Sequence, residues 1–290
     1  MKPEELFGEM KKLRILTKKQ INSLFSGLYR SFYRGPGMDF QEVREYTDGD
    51  DFRLLDWNVS SRMNSLHTKV FAEERELSLM LITDVSASLG SGPFSAAKKR
   101  MLILVYSLLA YAACLNNDKV GAAHVSSDIE KFILPRKGSQ HVLSMMYEIL
   151  TCPFNGKGSN LNLGLTTVLK HLKRRGICVI LSDFKTTLDP GILSLLCRKH
   201  QVTAVMLWDD KENRFPADGL LECADPESGA RSRCYGGTEA YRQAYAGFWE
   251  KTRLERLRQL SASGVRTLVL GTEEDPFVRL KYFLSRGAAW

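Results

Sequence analysis

Near-continuous apolar runs, separated by stretches with helical spacing, dominate this chain. Residues 77–85 (LSLMLITDV) are apolar at almost every position, which predicts a strand buried on both faces of a sheet. Residues 176–184 (GICVILSDF) and 202–209 (VTAVMLWD) read the same way, and 265–272 (VRTLVLGT) gives a last strand. The segments 119–126 and 131–137 predict a hairpin of strands joined by Ser127–Glu130. Helices are expected at about 94–115, 139–150, 161–174, 189–200 and 238–262, the last stopped by Gly264, with a short terminal helix after Pro276. Turn chemistry around Asp225-Pro226-Glu227-Ser228-Gly229 predicts a second hairpin within about 215–236. Strands alternating with helices imply an α/β fold: a mostly parallel sheet covered by helices on both faces, with a hairpin insertion.

The first 75 residues have another character. Residues 3–30 space Leu13, Leu16, Ile21, Leu24 and Leu28 as a helix. Residues 34–66 are rich in Gly, Asp and Arg but carry Phe40, Tyr46, Phe52 and Trp57, so they read as an ordered loop or small subdomain rather than a linker. Residue 67 onward (HTKVFAEE) alternates as an edge strand would. The expected organisation is an N-terminal helix and loop extension over 1–75, packed on an α/β domain over 76–290. No internal repeat is evident.

Composition narrows the class. The chain has 290 residues, 44% of them hydrophobic, enough for a sizeable core. The start, MKPEELFGEMKKLR, lacks the apolar run of a secretory signal. The longest apolar stretch, Met101–Leu115, falls short of the ~20 residues of a membrane span. A soluble, cytoplasmic protein is expected. Six cysteines occur without a CxxC pair, and free thiols are expected. The net charge of +8 is spread over Lys11-Lys12, Lys18-Lys19, Lys98-Lys99-Arg100 and Lys173-Arg174-Arg175. None is flanked by stacking aromatics, so solvated helix faces are expected rather than a nucleic-acid surface.

In parallel sheets ligands bind beyond the carboxyl ends of the strands. That rule points to the loops after Val85 and Phe184. The first reads Asp84-Val85-Ser86-Ala87-Ser88, where extended backbone sends alternate side chains the same way. The strand ending Leu181-Ser182-Asp183-Phe184 adds a second carboxylate, and Gly156-Lys157-Gly158-Ser159-Asn160, just before a helix, adds a third hydroxyl. Asp84, Ser86, Ser88, Ser159 and Asp183 make an all-oxygen donor set suited to magnesium or manganese. The plainer reading of the first loop is an ordinary strand–helix turn capped by Asp84.

These five positions resemble the metal-ion-dependent adhesion site of von Willebrand factor A domains, DxSxS followed by a Thr and an Asp. The resemblance covers about residues 77–210 and implies that Ser86, Ser88 and Ser159 touch the ion, with Asp84 and Asp183 acting largely through waters. Ser159 stands where that family usually has Thr. A second resemblance covers nearly the whole chain. Tyr46-Thr47-Asp48-Gly49-Asp50-Asp51-Phe52-Arg53-Leu54-Leu55-Asp56-Trp57, then Ser60-Ser61-Arg62, is similar to the signature of the bacterial domain of unknown function 58 family. That likeness implies a von Willebrand A-like, Rossmann-like fold and action beside a MoxR-type AAA+ ATPase in a chaperone-like or assembly complex. Two carboxylates only neutralise a divalent ion, so an open position on it is expected to take an acidic side chain of that ATPase. The likeness also makes Arg44, Tyr46, Asp50, Asp51, Arg53, Asp56, Trp57 and Arg62 candidates for partner contact. On physical grounds the same residues suit an ion-paired structural cap with Trp57 buried, and both readings stand.

Two other functions compete. One is a metal-dependent hydrolase of the phosphoesterase or nuclease kind. Position 86 is Ser, not the second Asp of an Asp-x-Asp phosphatase; no Walker A loop or G-x-S-x-G elbow occurs. The other is a basic nucleic-acid-binding protein. The expected function is a metal-dependent protein-binding module and not an enzyme.

Overall fold

The computed structural model describes residues 39–72, 77–90, 95–156, 158–215, 219–224 and 230–285. The expected helix over 3–30 lies outside them. The chain divides into two compact units, one holding residues 39–72 and the other the described residues from 77 onward.

The smaller unit is an antiparallel ribbon of β1 (Asp39–Glu45) and β2 (His67–Ala72). A single 3-10 turn (Phe52–Leu54) and the short helix α1 (Trp57–Met63) connect the strands. Residues 67–72 thus form a strand as expected, paired to β1.

The larger unit is built on one six-stranded sheet. Its strands are β3 (Ser78–Asp84), β4 (Lys119–Val125), β5 (Ile129–Arg136), β6 (Ile177–Ser182), β7 (Gln201–Trp208) and a last one at Arg266–Gly271. Between β7 and that last strand lies a separate hairpin, β8 (Leu220–Ala224) and β9 (Arg231–Tyr235), so the last is β10. The spatial order is β10-β7-β6-β3-β4-β5, and only β5 runs antiparallel to its neighbour. The mostly parallel α/β architecture expected from the alternation is therefore the one found.

The helices are α2 (Ala87–Gly90), α3 (Ser95–Leu115), α4 (Ser139–Thr151), α5 (Leu161–His171), α6 (Pro190–Lys199), α7 (Glu239–Ala262) and α8 (Pro276–Ser285). Side chains alternate across a strand, so β3 serves two cores. Met80 and Ile82 join Leu161, Leu165, Leu193 and Leu196 from α5 and α6. Leu79 and Leu81 point the other way, toward the face on which α3 packs against β3, β4, β6 and β7. Buried on both sides, β3 and β6 can be apolar throughout, which is why their runs showed no alternation. The edge strand β5 is half-exposed, with no fully buried run.

The topology has one consequence for function. From β3 the chain winds outward to β4 and β5, then returns to β6 on the other side of β3 and continues to β7 and β10. The boundary between β3 and β6 is the switch point, where the loops leaving the two strands diverge and open a crevice.

Candidate functional site

Asp84 ends β3 and Asp183 follows β6, so both carboxylates sit at that crevice. Asp84 is buried, and three groups converge on it. Its Oδ1 accepts the backbone N–H of Ser86 at 3.0 Å, and its Oδ2 accepts the hydroxyls of Ser159 at 3.0 Å and Ser182 at 2.8 Å. The hydroxyls of Ser86 and Ser88 lie 3.0 Å apart at the start of α2. Four of the five expected residues, Asp84, Ser86, Ser88 and Ser159, are thus tied together within one hydrogen-bonded group.

The loop that delivers Ser159 is stitched to this edge. Gly156 forms a parallel bridge with Ser86, and the N–H of Ala87 donates to the Gly156 carbonyl at 3.1 Å. A Cβ at Gly156 would stand 2.2 Å from the Cβ of Ser126, so only glycine lets the loop pass this close to β4. Asn160 then caps α5, accepting from the N–H of Leu163. On the far side, Thr186 donates to the carbonyl of Ser159 at 2.7 Å.

Asp183 sits beside this group with partners of its own. Its Oδ2 accepts from Lys98 Nζ at 2.9 Å, and Lys185 Nζ lies 4.0 Å from the same oxygen. Lys98 also pairs with Glu212 at 2.7 Å, and Lys185 with Glu212 at 3.2 Å. Glu212 comes from a 3-10 turn, Asp210–Asn213, just after β7. Phe184, also buried, adopts φ 53°, a left-handed conformation rare for a bulky residue, and its N–H donates to Ser182 Oγ at 2.8 Å.

The electrostatics separate the two carboxylates. Burial, reinforced by the negative charge of Asp183, pushes Asp84 up to about 6. Burial also acts to raise Asp183, but the charges and hydrogen bonds of Lys98 and Lys185 outweigh it and hold Asp183 below the ordinary value. Burial opposes the charge on Lys98, and Asp183 and Glu212 outweigh it, so the ammonium is kept.

Three residues at this edge escaped the sequence reading. Lys98 was expected on a solvated face with Lys99 and Arg100, yet it has no exposed surface, and Lys99 lies over the Phe154 ring. Met101, Leu102 and Val105, at i+3, i+4 and i+7, mark the stripe on which Lys98 lies. Ser182 and Glu212 gave no local signal.

The donor set fits a hard cation. Carboxylate and hydroxyl oxygens face one another, and Ser86 and Ser88 bond to each other, which leaves lone pairs available. No helix among the described residues is long and apolar enough to cross a membrane. Of the six cysteines, Cys114, Cys152, Cys178 and Cys197 are free thiols.

The signature residues lie in the smaller unit. Arg44 pairs with Asp50 at 2.7 Å, and Tyr46 stacks at a tilt on Phe52. Asp51 caps the 3-10 turn through the N–H of Arg53, and Asp56 caps α1 through those of Asn58 and Val59. Arg53 and Arg62 are exposed, and Trp57 and Phe52 are each 68% exposed.

Comparison with known proteins adds the following. The sequence profile of the family described as "Protein of unknown function DUF58" matches residues 42–255. An uncharacterized protein of Mycobacterium tuberculosis (strain ATCC 25618 / H37Rv) is 26% identical over 98% of this chain and 91% of its own length. The uncharacterized protein YeaD of Bacillus subtilis (strain 168) is 31% identical over 36% of this chain and 24% of its own length. Among solved structures, the von Willebrand A domain of SpRpn10 is similar at 11% identity, covering 71% of this chain and 94% of that one, with a TM-score of 0.39. Proximal thread matrix protein 1 from the mussel byssus, with a zinc-occupied MIDAS motif, is similar at 12% identity and TM-score 0.41; it covers 73% of this chain, which spans 47% of it.

Proposed function

The chain belongs to the family of proteins of unknown function DUF58, and from there we propose that it is a metal-dependent protein-binding module working with a MoxR-type AAA+ ATPase. The observation that carries the reading is the convergence of Ser86, Ser159 and Ser182 on Asp84, with Ser88 on Ser86 and Asp183 alongside, at the switch point of the sheet. In this reading Ser86, Ser88 and Ser159 hold a magnesium or manganese ion, and Asp84 and Asp183 balance its charge. Bound there, the ion supplies a Lewis-acid position open to an acidic side chain of the partner. The residues of this chain do the rest. Ser182 and the Ser86 amide fix the rotamer of Asp84, the Gly156 bridge fixes the loop of Ser159, and Lys98 and Lys185 fix Asp183.

One carboxylate–metal bond is too small for a specific interface, since stable interfaces bury about 1,200–2,000 Å² in total. More surface is required, and the exposed Phe52, Arg53, Trp57 and Arg62 of the smaller unit are of the kinds that anchor interfaces. The test is co-purification of a MoxR-type ATPase with the full chain. Magnesium should promote binding, and chelation or Ser86→Ala with Ser88→Ala should weaken it about tenfold or more, with far-UV circular dichroism unchanged. Binding indifferent to both treatments rejects the metal-grip mechanism.

A further inference from the structure

A lysine without exposed surface is expensive, and this one has been placed against the carboxylate at the edge of the cation cup. Lys98 stands in the first turns of α3, and its neighbours along the helix stripe are apolar. Its Nζ bridges Asp183 Oδ2 at 2.9 Å and Glu212 Oε1 at 2.7 Å. Removing a lysine charge from water costs several kcal/mol, offset only where the pairing is close. Here both partners are close, and Lys185 bonds Glu212 from the more exposed side. Both oxygens of Asp183 are therefore engaged, Oδ2 by the Lys98 ammonium and Oδ1 by the Lys185 N–H at 3.3 Å, whereas the donors of Asp84 are hydroxyls and an amide.

The charge balance shows what the arrangement does. With Asp84 ionised, the three carboxylates Asp84, Asp183 and Glu212 face the two ammonium groups of Lys98 and Lys185, leaving one negative charge. A divalent ion would turn that into one positive charge. Without Lys98 the same ion would leave the cluster neutral. We infer that Lys98 is a built-in counter-cation of the cup, which weakens the hold of the protein alone on a divalent ion and leaves excess positive charge for an acidic ligand to neutralise. Lys98 acts through Asp183 and is a positioning residue. The inference rests on the metal-binding reading and adds to it the residue that makes the ion depend on its ligand.

The test is a charge cycle read by Mn2+ alone, with the free ion followed by electron paramagnetic resonance and melting temperature recorded in parallel. Lys98→Met lowers the cluster by one charge and should bind Mn2+ about tenfold more tightly than wild type. Glu212→Gln raises it by one and should bind about tenfold more weakly. The double variant restores the wild-type charge and should return close to wild-type affinity. A purely structural Lys98 would lower the melting temperature with no gain in Mn2+ affinity. Equal or weaker binding by Lys98→Met overturns the inference, as does unchanged binding by Glu212→Gln, which decides alone if Lys98→Met does not fold. If wild type binds Mn2+ and the affinities ignore charge, only this inference falls. If no protein in the series binds Mn2+, the metal-binding reading falls with it.

Discussion

Ser182, the last residue of β6, donates its hydroxyl to Oδ2 of Asp84, at the end of the neighbouring strand β3, at 2.8 Å, with both side chains buried. The same oxygen of Ser182 accepts the N–H of Phe184 at 2.8 Å. One hydroxyl thus orients the carboxylate and satisfies an amide held in a left-handed turn.

Ser182→Ala should therefore cost more than a surface hydroxyl would. It leaves the buried Phe184 N–H without that acceptor, worth about 1–3 kcal/mol, and frees Asp84 to rotate. Urea unfolding should report the loss, and Mn2+ titration should report weaker binding. A variant as stable as wild type with full Mn2+ affinity would show that the bond has no such role.

Gly156→Ala tests the loop that carries Ser159. The added methyl would meet the Ser126 Cβ at 2.2 Å, a distance that real Cβ atoms do not tolerate, so the loop must move. Its bridge to Ser86 and the Ala87–Gly156 bond lie in the path of that shift. Mn2+ affinity should fall at least as far as it does in Ser159→Ala, and overpacking should destabilise the protein by about 1–3 kcal/mol. Retention of full affinity would separate the bridge from the cup.

The pH dependence of stability should carry the mark of Asp118, far from the cup in sequence. This buried carboxyl precedes β4 and accepts the N–H of Leu77 at 3.2 Å. Burial pushes it up to about 7 from an ordinary 3.8, against the opposing pull of that bond and of Lys137. Between those values the folded protein holds a proton that the unfolded chain has released, so this group's contribution falls as pH rises through the window. His124, pulled down to about 4 by burial, contributes with the opposite slope below its ordinary 6.5, and it is present in both proteins of a comparison. Asp118→Asn keeps an acceptor for Leu77 and cannot ionise. Its melting temperature relative to wild type should rise from pH about 4 to about 7 and level off above that. A difference that stays flat would mean that Asp118 titrates normally.

Much of this was readable from the chain because it rests on local periodicity. The double-sided burial of β3 and β6 makes apolar runs, and Gly264 at φ 83° ends α7 where a glycine stop belongs. Asp84, Ser86 and Ser88 lie within five residues, so their nearness was legible, although the chain turns into α2 at Ala87 rather than staying extended as expected. Asp183 needed only the rule that ligands gather at carboxyl ends of strands, and Ser159 stood out as a hydroxyl in the Gly-rich segment just before a helix. Lys98, Ser182 and Glu212 are different. They meet the site across 85, 98 and 114 residues of chain, through pairings created by sheet order. The basic run also misled at Lys98: α3 is buried over most of its circumference, and at about 100° per residue the first of the three basic residues lands on the buried side while Arg100 stays exposed.

The signature segment offers the sharpest division between structure and partner contact. Asp56 accepts the N–H groups of Asn58 and Val59 at 3.0 and 3.2 Å, capping α1, and lies 3.6 Å from Lys69 on β2. Those bonds hold its carboxyl below the ordinary value, and its work is internal to the smaller unit. Asp56→Ala should lower the melting temperature, because it removes the cap of α1. Trp57, the next residue, is 68% exposed, and Arg53 is exposed as well. Neither Trp57→Ala nor Arg53→Ala should move the melting temperature by more than a degree or two, since substitutions of exposed groups stay within about 0.5 kcal/mol. If these residues anchor the ATPase, both should weaken its binding by tenfold or more, as interface truncations at Trp and Arg do. Calorimetric binding beside thermal melts separates the roles residue by residue. Loss of stability in Trp57→Ala with binding intact would make the aromatic a structural element and move the partner surface elsewhere.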